Sequence, residues 1–92
     1  MAEKHVLVIN EKDNVGVVMD EVFAKDSLVI VVGNNKYTIE AREFISRLHK
    51  VAVTDIMKDA KVLKYGETIG IAQRDILSGE HVHIHNLKGL RG

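Results

Sequence analysis

Cysteine and proline are both absent from this chain of 92 residues. Without thiols, disulfide staples and thiolate zinc sites are excluded. No apolar run is long: residues 28–32 form the longest wholly aliphatic stretch, far short of the roughly 20 residues that cross a bilayer. Net charge is missing too, since 13 Lys and Arg balance 13 Asp and Glu. Nucleic-acid binders normally present a concentrated basic surface, so that class is disfavoured, as is a membrane protein. The opening Met-Ala-Glu-Lys-His shows no signal-peptide pattern, and cytoplasmic residence is the expectation.

The length suits one domain over residues 1–92, with a single modest core. Large catalytic clefts usually form between domains, so a catalytic role implies that another chain supplies much of the site. The balanced charge is unevenly spread. Residues 1–46 hold 5 basic and 8 acidic side chains, and residues 47–92 hold 8 and 5, with four of the five histidines. A mildly basic, histidine-rich half suits an anionic small molecule or an acidic partner.

Periodicity reads as short strands. Residues 6–9, 15–18 and 28–32 are aliphatic and β-branched, and Gly33-Asn34-Asn35 tolerates the positive φ of a tight hairpin before a returning strand at 37–39. Residues 40–49 are the one helix candidate, because Phe44, Ile45 and Leu48 share a helical face. A weak repeat also runs through the chain. Asp55-Ile56 precedes Val62 by the same interval that separates Asp75-Ile76 from Val82, and Glu21-Val22 before Leu28 fits less closely. Such turn-then-strand units predict a compact all-β fold with at most one short helix.

Three places could carry chemistry. In His81-Val82-His83-Ile84-His85-Asn86, strand alternation would put three histidines on one face and Val82 and Ile84 on the other. Imidazoles two apart in a strand lie roughly 7 Å apart, close enough to share a metal or bracket an anion. A polar strand face with no chemical role fits the same pattern. Lys64-Tyr65-Gly66, in a glycine-marked turn, could reach a carboxylate, or be a solvated turn. His49-Lys50 is a possible proton-transfer or anion-binding pair, or simply loop. His5 has no partner in view, and no nucleophile triad or carboxylate pair appears.

These segments together resemble the SAF domain of altronate dehydratases and related lyases. The likeness rests on Asp13-Asn14-Val15, Asp55-Ile56, Lys64-Tyr65-Gly66 with Gly70, Asp75-Ile76, and Val82-His83 with His85-Asn86. It implies a β-clip fold, either fused to a large catalytic domain or made as a separate small subunit. Complete enzymes of this kind remove water from sugar acids such as altronate or galactarate with a divalent metal, typically iron or manganese. A relative releases sulfite from sulfolactate. No large domain follows Asn86 here, so the separate small-subunit form is expected, inactive without a large catalytic lyase subunit. The alternatives are the small subunit of a sulfolactate-type sulfo-lyase and a non-catalytic module that recognises a sugar acid or a protein.

Carried over by position, the resemblance gives His83, His85 and His49 catalytic roles and assigns Lys50, Lys64, Tyr65 and Asn86 to the sugar acid. The metal ligands stay unknown. His81 falls where the family varies. It also implies that His83 and His85 face one way, with His49 or Tyr65 nearby. The chain departs from the pattern near His49, where Ser46 and Leu48 replace the usual Pro and Gly, and in Lys58-Asp59-Ala60, where a Gly is usual.

Overall fold

A computed structural model describes residues 2–89. Its nine strands are β1 Glu3–Leu7, β2 Val15–Val18, β3 Ser27–Val32, β4 Asn35–Glu40, β5 Lys50–Ala52, β6 Lys61–Lys64, β7 Glu67–Ala72, β8 His81–Val82 and β9 Leu87–Gly89. They form a six-stranded sheet, ordered β4-β3-β1-β2-β5-β8, and a three-stranded sheet, β6-β7-β9. Only β1 and β3 pair in parallel; the other pairs are antiparallel. The all-β expectation holds. No helix among these residues is long and apolar enough to cross a membrane.

The organising device lies between the strands. Segments 18–26, 41–49, 52–60 and 72–80 adopt one backbone path. The fifth residue of each is a buried aliphatic: Val22, Ile45, Ile56 or Ile76. Three residues later the chain turns left-handed, with φ 77° at Lys25, 69° at Leu48, 72° at Asp59 and 91° at Gly79. The ninth amide then bonds back to the sixth carbonyl at 3.0 Å in all four.

The segments work in reciprocal pairs, and each pair closes a clip. Val22 and Ile45 exchange two backbone bonds of 2.9 Å, and Ile56 and Ile76 exchange two of 2.7 Å. Each left-handed residue donates its amide to the first carbonyl of the paired segment: Lys25 to Ala41, Leu48 to Val18, Asp59 to Ala72, Gly79 to Ala52. That first residue returns a bond to the ninth carbonyl, as from Val18 to His49. The β3–β4 hairpin joins the halves of clip one (18–49), and β6–β7 joins those of clip two (52–80). Each clip has its own core, one around Val22, Leu28, Ile30 and Ile45 and the other around Ile56, Val62, Ile76 and Val82. Strand β2 is buried along its whole length and serves both, Val18 facing the first core and Val15 the second.

Two corrections follow. Residues 40–49 are not a helix but the fourth copy of the repeat. Their amides bond across to Val18 and Val22 instead of back along a helix. Of the apparent apolar face only Ile45 is buried, while Phe44 and Leu48 are about half exposed. The strand expected through His85 ends at Val82. Residues 83–86 form a turn, and Ile84 is 81% exposed instead of sharing the core with Val82.

Two of the departures from the family pattern fall where the backbone turns left-handed. Leu48 and Asp59 stand at left-handed positions, where a glycine is relaxed and a side chain costs about 1–2 kcal/mol. The backbone keeps its path at both.

Candidate functional site

The histidines meet because of strand register. In the β5–β8 pair Val51 faces His81 and Lys50 faces Val82, so the next step of that register sets His49 against His83. Their rings stack with centroids 4.7 Å apart. His49 Nδ1 lies 3.0 Å from His81 Nε2, a hydrogen bond that requires one of the two nitrogens to be bare. His81 also stacks on His83 at 5.5 Å and meets His85 at 5.2 Å. Ligand nitrogens of His49, His81 and His83 all lie within 4.8 Å of one another.

Asn86 holds this arrangement. It is 2% exposed, its Oδ1 accepts the His83 amide at 2.9 Å, and its Nδ2 donates to the His81 carbonyl at 2.8 Å. The amides of Asn86 and Leu87 both return to the His83 carbonyl. The carboxamide therefore fixes the 81–86 turn from below, where a substrate contact had been expected of it. This is also why the alternating pattern stops: the clamp needs a turn, and the turn swings Ile84 outward.

Electrostatics lower the basicity of His81 and His83. Burial holds His81 below its ordinary value of 6.5, His85, His49 and His83 lower it further, and Glu43 opposes them. His83 is lowered in the same way, first by desolvation, then by His49, Lys50 and His85. Half-buried Lys50 is also lowered, by burial and by the neighbouring charge of Lys64. The Lys64 ammonium lies 4.8 Å from the Tyr65 ring centroid. His49, His81, His83 and His85 thus form one cluster of rings, the charge of Lys50 is felt at His83 and that of Lys64 at Lys50, and Tyr65 lies beside Lys64.

Sequence reasoning missed the residues that hold this surface up. Asp13 accepts the amides of Tyr65 (2.9 Å) and Gly66 (2.8 Å), fixing a hairpin turn whose two central residues have φ 57° and 77°. Asn14 brackets β6 through Leu63 and Lys61. The Asp13-Asn14 pair and the Lys64-Tyr65-Gly66 turn are thus one device, linked across about fifty residues of sequence. Glu43 was missed as well; its carboxylate accepts the His81 amide at 3.0 Å. A groove of about 420 Å³ lies elsewhere, lined by Lys25, Ser27, Thr38, Ile39 and Glu40, and contains none of the candidate residues. It lacks the cluster's convergence of titratable groups, so the histidine face is the better site.

The profile of the altronate/galactarate dehydratase SAF domain matches residues 4–90. The altronate dehydratase of Escherichia coli (strain K12) is 41% identical over 80 residues, which is 87% of this chain and 15% of that protein. That of Bacillus subtilis (strain 168) is 35% identical over 85 residues, 92% of this chain and 16% of the relative. This chain thus spans about one-sixth of those two enzymes. The (2R)-sulfolactate sulfo-lyase subunit alpha of Chromohalobacter salexigens is 39% identical over 88 residues, covering 92% of this chain and 94% of the relative.

Proposed function

Because the chain belongs to the altronate/galactarate dehydratase SAF domain family, we propose that it is the small subunit of a sugar-acid lyase, lending its histidine face to a site completed by a large partner chain. The observation that carries this reading is the convergence of His49, His81 and His83 on an open surface beside Lys50 and Lys64. The near end-to-end match with a protein named as a subunit alpha supports a separate partner. A cytoplasmic setting accords with a chain free of cysteine.

Elimination beside a carboxylate needs a base for the proton on the adjacent carbon and an acid for the departing group. With values below 6.5, His81 and His83 are neutral at pH 7, and each offers one bare ring nitrogen that either accepts a proton or binds a metal, not both at once. In this reading Lys50 and Lys64 hold the substrate carboxylate, with the Tyr65 hydroxyl and His85 as further contacts. Asn86 acts through backbone, as the residue that positions His83.

Of the two divalent ions that the family resemblance implies, iron or manganese, the donor set fits iron better, since imidazole nitrogens suit iron and manganese prefers oxygen ligands. His49, His81 and His83 would hold it. When bound, such an ion supplies Lewis acidity toward the departing hydroxyl. A second reading, release of sulfite from a sulfonated hydroxy acid, uses the same groups and is favoured by the coverage of the sulfo-lyase subunit.

Co-expression with a large lyase subunit tests both. The purified complex should dehydrate altronate or galactarate while the chain alone does neither; sulfite release from sulfolactate would select the second reading. A complex that forms but keeps full activity with His83→Gln would make the chain a non-catalytic module.

A further inference from the structure

Two nitrogens bound to one ion at about 2.1 Å are separated by about 3.0 Å at a right angle and about 3.4 Å at the tetrahedral angle. His49 Nδ1 and His81 Nε2, hydrogen-bonded at 3.0 Å, reach the spacing of adjacent ligands in a six-coordinate site once the proton between them moves to the far nitrogen of its own ring. His81 lies in β8 and His49 immediately precedes β5, so this closeness is set by the β5–β8 register and not by local sequence. The third nitrogen, on His83, lies within 4.8 Å of the others. It has only its side chain to move, because the Asn86 clamp fixes the His83 amide and carbonyl.

We infer that the isolated chain loads a first-row divalent ion through His49 Nδ1, His81 Nε2 and a ring nitrogen of His83, before any partner joins. The inference deepens the lyase reading and rests on it only for the use made of the ion. Ligands carried on preset backbone avoid most of the ordering cost of binding. No thiolate or carboxylate belongs to the nitrogen set, so the site selects cobalt, nickel, zinc or ferrous iron over magnesium and calcium. Three protein nitrogens leave positions on the solvent side for oxygen ligands, the arrangement of an open site and not of a structural one. The division of labour that follows is specific: the small chain brings the metal, and the large chain brings the enclosure.

The test uses the full chain without an affinity tag, titrated with Co²⁺ alone. A visible d–d band should grow to one equivalent, the imidazole proton signals of His49, His81 and His83 should broaden while His5 stays sharp, and the melting temperature should rise. Magnesium in excess should not displace the cobalt. His81→Gln and His49→Gln should each weaken binding by more than about tenfold, and His5→Gln should leave it unchanged. The proton signals of the unaltered chain decide the matter even where a variant fails to fold. A silent cobalt spectrum, or broadening centred on His5, overturns the inference. If the chain alone stays silent while a reconstituted complex is active with metal, this inference fails and the lyase reading survives. If the chain loads metal but no complex eliminates water, the reverse holds.

Discussion

Clip one and clip two share a backbone and differ in almost everything attached to it. In clip two, the residue before each buried aliphatic is an aspartate that caps the opposite segment: Asp55 accepts the Ser78 amide and Asp75 the Lys58 amide, both at 2.8 Å. Clip one has Glu21 and Phe44 at those places, and Phe44 packs on Phe23 with centroids 5.4 Å apart. A polar reciprocal cap and an aromatic contact thus occupy the same slot. The reciprocal main-chain bonds are common to both, so the path depends on them and on the buried aliphatic, with the flanking side chains free to vary.

The ninth position shows what that freedom permits. Asp26 and Glu80 use it to close their own turns, accepting the amides of Phe23 (2.9 Å) and Leu77 (2.6 Å). Ala60 closes nothing there, and in the remaining segment the slot holds His49. A position that elsewhere completes a turn carries an imidazole into the histidine cluster.

The comparison breaks if the two clips respond differently to loss of the shared aliphatic. Ile45→Ala and Ile76→Ala, both fully buried, should each cost about 2–5 kcal/mol in urea unfolding. A cost in one clip only would mean that the other is held by something besides its core. The ninth position gives the next contrast. His83→Gln, opposite His49 just beyond the β5–β8 pair, should lower the activity of a reconstituted complex about 100-fold while moving stability by less than about 0.5 kcal/mol.

The left-handed positions sharpen the comparison with opposite signs. Gly79→Ala should destabilise by more than about 1 kcal/mol, because φ 91° strains any side chain and its Cβ would meet the Glu40 carbonyl. Leu48→Gly and Asp59→Gly should instead stabilise by about 0.5–1 kcal/mol, relaxing φ 69° and 72°. Thermal denaturation of the three variants reads this directly.

Acidity gives the smallest contrast. His81 and His83 titrate below the 6.5 of an unfolded histidine, so between those values the unfolded chain binds more protons and stability rises with pH. Their contribution is complete above 6.5 and is lost as pH falls through the folded values. Asp26 in clip one lies below its ordinary 3.8, chiefly because it accepts the Phe23 amide. Its contribution is present above 3.8 and fades only at still lower pH. Melting temperatures should therefore fall in two stages on acidification. His81→Gln should flatten the first stage and Asp26→Asn the second.

Legibility followed the same divide. Clip two could be read because Asp-Ile recurs at a fixed distance from the next strand, the Asp being there to cap the opposite turn. Clip one hid its second copy because Phe44 replaces the acid and the three-residue step from Ile45 to Leu48 imitates a helical face. The histidines were visible as a group, since alternation is a local property. Their meeting with His49 could be drawn from family pattern alone, because it depends on strand register. The end of the strand at Val82 and the outward Ile84 were not visible, for they follow from side-chain-to-backbone bonds of Asn86 that leave no periodic trace. Asp13 and Asn14 escaped for a related reason: their partners lie on a hairpin far along the chain.

The reciprocal clips also bear on the order in which the molecule assembles. Closing clip one joins residues 18 and 49, and closing clip two joins 52 and 80. Chain closure over such similar spans differs by only about 0.1 kcal/mol, so entropy gives neither clip a head start. The hairpins inside them are less equal. Strands β3 and β4 pair in unbroken register from Ser27–Glu40 to Val32–Asn35, whereas β6 and β7 slip between Val62 and Leu63. If the regular hairpin zippers first, it brings Lys25 and Ala41 within reach and clip one becomes the template. Strand β5 would then leave that template already placed, and β8 would dock on it last. On that order the histidine face forms at the end, after the half of the molecule that carries only one of its rings, His49.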